Sequence, residues 1–180
     1  MQGDSHQISP RDRAGDMPPQ VKLGEPSAAP FPEEEVLARI SGRVPPWVEI
    51  ESRYCLTHMN APITVEVLAR AVGGIGERAL ELRHRRARLP SPSVIIALLR
   101  LIRAIHAMSF EGKSLERVAL RFGYGSAWSL RRVIRRYLKL GRVRPTDREA
   151  FIVAITAFLV IVTPPYGARM YGARRANDPP

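Results

Sequence analysis

SLERVALRFGYGSAWSLRRVIRRYL, residues Ser114 to Leu138, consists of two helix-like runs separated by Phe122-Gly123-Tyr124-Gly125. In the first run Leu115, Val118, Ala119 and Phe122 recur at i, i+3, i+4 and i+7, the spacing that lines one helical face with apolar side chains. Gly123 supplies the left-handed residue that ends a helix tightly. Ser126 follows as the N-cap of the second run, whose apolar stripe is Leu130, Val133, Ile134 and Tyr137 or Leu138. The spacing predicts a helix-turn-helix. The opposite face of its second helix carries Arg131, Arg132, Arg135 and Arg136, and no acid occurs from Arg131 to Arg144. Solvated helix faces usually mix signs. A face made only of guanidinium suits a polyanion, because arginine pairs with phosphate or grips a guanine edge with two hydrogen bonds.

The totals agree. With 180 residues and 45% hydrophobic content, the chain can bury one small core with tails. The net charge of +11 is unevenly spread. Residues 1–35 hold 3 basic and 7 acidic side chains, whereas residues 36–150 hold 22 and 9. An anionic partner is therefore expected on the central segment. Cys55 is the single cysteine, which excludes an intrachain disulfide and makes core packing its expected role. The N-terminus has no basic-then-apolar signal pattern, and no run is read as reaching the roughly 18 apolar residues of a membrane span. A cytoplasmic location is the expectation.

Outward from the central stretch, residues 1–35 are rich in Pro, Asp, Glu and Ser and read as a disordered acidic tail. Glu33 to Ile40 allows a short helix, and Val44-Pro45-Pro46 is a joint. Trp47, Ile50, Tyr54 and Cys55 or Leu56 fall at helical spacing, predicting a first packing helix with its aromatics in the core. Thr64 caps a second helix through Ala71, with Val67, Leu68 and Ala71 as its apolar face. The glycines of Val72-Gly73-Gly74-Ile75-Gly76 make a turn, and a third helix runs from Glu77 to Arg88. Ser91-Pro92-Ser93 opens a long helix, VIIALLRLIRAIHAM, apolar nearly all round, which must be buried or bridge two units. Phe151 to Val162, FIVAITAFLVIV, is too short for a membrane span; packing on the domain, a dimer contact and an interfacial anchor all stay open, as does helix against strand.

Ser114, Leu115, Val118, Ala119, Gly123, Tyr124, Ser126, Ser129, Leu130, Arg132, Ile134, Arg135 and Arg136 fit the pattern of the second helix-turn-helix of AraC-type bacterial transcription regulators, and the chain resembles that family. TVEVLARAVGGIGERALELRHRR, Thr64 to Arg86, resembles the family's first helix-turn-helix through Leu68, Ala69, Gly74, Leu80, Arg85 and Arg86. This copy departs from the pattern at Gly76 and Glu77, where a capping Ser is usual, and at His84, where a core Phe is usual. The resemblance implies an all-α fold of two homeodomain-like three-helix units, at 47–90 and 111–150, joined by a linker helix at 91–110, with 151–180 an apolar segment and tail. It implies a bacterial regulator without enzymatic activity, reading two successive major-groove segments of double-stranded DNA. Arg78, Glu81, Leu82 and Arg85 would face DNA from the first unit. Ala127, Trp128, Ser129, Arg131 and Arg132 would face bases from the second, with Arg135, Arg136 and Lys139 on phosphates. Trp128 is read either as a thymine or sugar contact or as a partly buried structural residue. The family's effector-binding domain has no counterpart here, so no small-molecule cofactor is implied.

Other signals are weaker. Gly74 to Ala79 matches G-x-G-x-x-A, but a helical stretch precedes it and no acid follows at the distance needed to hold a ribose. His6, His58, His84 and His106 are too scattered for a metal site, and His84 and His106 read as structural. No catalytic grouping is legible. A rival of another class is a degenerate helix-turn-helix that binds a protein partner or a membrane surface through 151–162.

Overall fold

An 18-residue helix, Pro92 to Ser109, runs through the molecule with twelve of its residues buried. The computed structural model describes residues 30–59, 62–140 and 142–163, and among them the chain forms helices and connections with no strand. In order these are α1 (Glu33–Ile40), α2 (Pro46–His58), α3 (Val65–Gly73), α4 (Glu77–Arg86), α5 (Pro92–Ser109), α6 (Leu115–Arg121), α7 (Ala127–Tyr137) and α8 (Arg148–Val162). The fold is all-α. Helix α5 packs against α2, α3, α4, α6, α7 and α8, because a helix apolar on all sides can satisfy itself only when surrounded. Its mean hydropathy of 1.4 over 18 residues also makes it long and apolar enough to cross a bilayer, contrary to the expectation that no run reaches that length. Its two arginines had disguised the run, and 67% of it is buried inside the protein.

The expected tail is too long at its C-terminal end. Residues 1–29 lie outside the described residues, but Glu33–Ile40 is a helix that buries Val36, Leu37 and Ile40 in the core. Two acids that made the segment look like tail hold it to α2. Thr57 donates its hydroxyl to Glu33, and Arg53 pairs with Glu34 at 3.2 Å. Exposed pairs of this kind add little energy and chiefly set register.

The stripe of α2 also differs from expectation. Val48, Glu51, Ser52, Cys55, Leu56 and Met59 face inward, while Ile50 is 55% exposed and Trp47 and Tyr54 are half-buried. Trp47 and Tyr54 pack against the margin of the core as expected, and of the expected stripe only Ile50 turns to the surface. Burial pushes the Cys55 thiol up to about 12, so it stays a thiol at neutral pH and acts as a small apolar side chain. In α3 the buried pair is Leu68 and Ala69, and the expected Val67 and Ala71 are exposed.

Segment 151–162 is helical and belongs to the domain core. Phe151, Ala154, Ile155, Phe158, Ile161 and Val162 are buried, and α8 makes its most extensive contact with α5. Burial of a side chain such as Phe158 is worth about 1.5–3 kcal/mol, reason enough for the helix to fold onto its own chain. Residue 150 is therefore not a boundary, since α8 begins at Arg148. Ile152 and Val160 remain exposed on the outer side of α8.

Candidate nucleic-acid interface

Helix α6, the turn and α7 form as their sequence suggests. The Ser114 hydroxyl accepts the Arg117 N–H at 3.4 Å to start α6, and Val118, Ala119 and Phe122 are buried. Gly123 adopts φ +72°, and the Tyr124 N–H returns to the Ala119 carbonyl at 2.8 Å, closing the helix end. Burial raises the Tyr124 hydroxyl well above the usual phenol range, so it adds no charge here. The Ser126 hydroxyl then accepts the Ser129 N–H at 3.2 Å and starts α7.

Burying Leu130 and Ile134 turns the other face of α7 outward. Arg131, Arg132, Arg135 and Arg136 are all exposed, and none pairs with a carboxylate of the described residues. That is unlike Arg39, Arg53, Arg70, Arg83 and Arg121, each of which has a glutamate. Exposed cations without carboxylates are electrostatically free for an incoming anion. Trp128 is 66% exposed, with the Arg132 guanidinium 5.7 Å from its ring centroid, so the reading of it as a partly buried structural residue is corrected. Ala127 and Ser129 are half-buried, and the Ser129 hydroxyl shares a 3.1 Å hydrogen bond with Ser126. Both sit at the capped start of α7 and offer less than the arginines do. Lys139 is exposed but lies past the helix, because α7 ends at Tyr137 and Leu138 is extended.

The other candidate surface is α4. Arg78, Glu81, Leu82 and Arg85 come together with Glu77 around a surface depression of about 510 Å³. All four are exposed, Leu82 at 39%. Helix α4 ends at Arg86, two residues short of expectation. Arg88 takes the left-handed conformation at φ 55°, and the Leu89 N–H returns to the His84 carbonyl at 2.9 Å. Pro90 cannot extend a helix, and this turn instead brings its carbonyl to His84 Nδ1 at 2.7 Å.

His84 replaces an apolar core residue, and the structure shows what compensates. Its Nε2 lies 2.9 Å from Glu51 Oε2, and both side chains are fully buried. Arg83 Nη2 donates to Glu51 Oε1 at 3.0 Å, and the same guanidinium lies 4.8 Å from the Trp47 ring centroid. Because a carbonyl only accepts, Nδ1 is the donor to Pro90, which leaves Nε2 to pair with the Glu51 carboxylate. Glu51 and Arg83 were not singled out from the sequence. An acid on the inward face of α2 was the available signal, since buried charge requires a partner.

His106 is the contrasting histidine. It is buried against Phe31, Phe110 and Phe151, its Nδ1 lacks a hydrogen-bond partner among the described residues, and Glu111 is 3.7 Å away. Burial holds it below the usual histidine value, with the Glu111 carboxylate opposing. No group of His, Cys, Asp and Glu among the described residues could hold a metal ion.

No protein-family model matches the chain, and no curated protein or solved structure matches it.

Proposed function

We propose that this protein is a sequence-specific DNA-binding transcription regulator, with α3/α4 and α6/α7 acting as two helix-turn-helix units joined by α5. The observation that carries the reading is the outer face of α7, four exposed arginines without an acid or a carboxylate partner among the described residues. In a major groove, Arg131 and Arg132 would reach base edges, while Arg135, Arg136 and Lys139 would hold phosphates. From α4, Arg78 and Arg85 would do the same beside Glu81 and Leu82, which could meet cytosine amino groups and thymine methyls. Two such helices on one duplex face sit about 34 Å apart along its axis. The resemblance of Ser114 to Arg136 to AraC-type regulators supports the assignment, and the cytoplasm is the compartment it requires.

The test is a gel shift on genomic and random-sequence duplexes across a salt series. Affinity that is selective for particular sequences and falls steeply with salt is expected. Absence of binding at low salt would reject the reading and favour the protein-interaction alternative, for which the exposed Ile152 and Val160 of α8 are the natural contact.

A further inference from the structure

A groove of about 620 Å³ lies between the end of α5, the start of α6 and the C-terminal half of α7, within the usual size range of small-molecule sites. Its floor is aliphatic, made by Met108, Leu115, Ile134 and Leu138. Its rim carries Lys113, Arg131, Arg135 and Lys139. Among the described residues that line it there is no acid and no aromatic ring. Four cations on one rim favour an anionic group over an amine. What it offers is cationic donors for one anionic head and an apolar trough for a flexible chain.

We propose that this groove binds a single-chain amphipathic anion of the fatty-acid class, its carboxylate on the Lys113, Arg131, Arg135 and Lys139 rim and its acyl chain along Met108, Leu115, Ile134 and Leu138. Three rim cations lie on or just after α7, so the bound carboxylate would neutralise part of the face assigned to DNA. Binding stands independently of the DNA assignment; the competition with DNA rests on it.

Calorimetric titration of the full chain with laurate below its micelle concentration tests the site. Saturable one-to-one binding is expected, with dodecyltrimethylammonium, the same chain with a cationic head, bound at least tenfold more weakly. Lys113→Gln combined with Lys139→Gln should weaken laurate about tenfold while the melting temperature holds, as loss of charge-assisted contacts implies. Equal binding of the two surfactants, or an unchanged laurate affinity in the double variant, overturns the proposal. A second arm adds laurate to a preformed protein–DNA complex. Release of DNA at the calorimetric concentration is expected, and calorimetric binding with the complex left intact would refute the competition while leaving the site standing. Failure of the DNA reading shows instead as no complex to displace.

Discussion

The helix pairs α3/α4 and α6/α7 solve the same packing problem with different chemistry. In α7, Ile134 fills the core position with a buried aliphatic side chain, Ser126 caps the start and the outer face carries four arginines and no acid. In α4 the equivalent core position is His84, Gly76 caps without a side chain, and Glu77 and Glu81 dilute the arginines of the outer face. The difference teaches that a helix pair can lose an apolar anchor and a cap and still hold, provided that another element supplies what the substitution left unpaired. Here α2 supplies Glu51. The repair has a cost, since Arg83 is turned inward onto Glu51 and removed from the cationic surface.

The sharpest way to break the comparison is to remove the repair. Glu51→Ala leaves His84 and Arg83 without their shared acceptor in a closed site, and should cost about 3–5 kcal/mol in urea unfolding. Combining Glu51→Leu with His84→Phe converts α4 to the apolar solution of α7 and should return stability to the parent value or above it. A loss below about 1 kcal/mol for Glu51→Ala would mean that the Glu51–His84 pair is not what seats α4.

Function should divide along the same line. Arg132→Ala is expected to weaken binding to the selected sequence by about 1–3 kcal/mol and relax preference at one base pair. Arg136→Ala should lower every affinity together and reduce the salt slope by about 1. Quantitative gel shifts on matched and mismatched duplexes check both, and equal weakening on all sequences would reassign Arg132 to phosphate.

Caps give the smaller effects. Ser126→Ala removes the acceptor of the Ser129 N–H and should lower stability by about 1 kcal/mol, read as a shift of the urea midpoint at constant slope. Gly76→Ser makes the reverse change in α4. Its backbone is extended, at φ −75° and ψ 158°, and an added Cβ meets nothing within 4 Å. A gain of a few tenths of a kcal/mol is expected. A destabilised Gly76→Ser variant would show that α4 relies on the bare cap for a reason other than hydrogen bonding.

Where side chain and backbone instruct the same local outcome, the sequence was legible. The segment Ser114 to Tyr137 carried its caps, its i, i+3, i+4 stripe and its turn glycine within 25 residues, and each took the expected place. Helix α5 was legible because a run apolar on all sides has few other fates. Less legible was α2, because Trp47, Ile50 and Tyr54 outweighed a true inner face that contains Glu51 and Ser52. Reading that face required knowing that His84 and Arg83 would come to meet the acid from 33 and 32 residues away. Residues 151–162 were ambiguous because their β-branched side chains favour a strand while the apolar run is long enough for a helix, and packing on the apolar flank of α5 chose the helix.

By itself, then, the sequence determined the helices from Thr64 to Tyr137, the two glycine turns and the arginine face of α7, because these follow from local spacing, capping and charge. Tertiary structure decided the burial of Glu51 with His84, the docking of α1 and α8 onto the core, and the placing of Lys113 and Arg131 along one groove. Each of these joins residues from distant parts of the chain or from different helices, and only the packed core sets which of them meet.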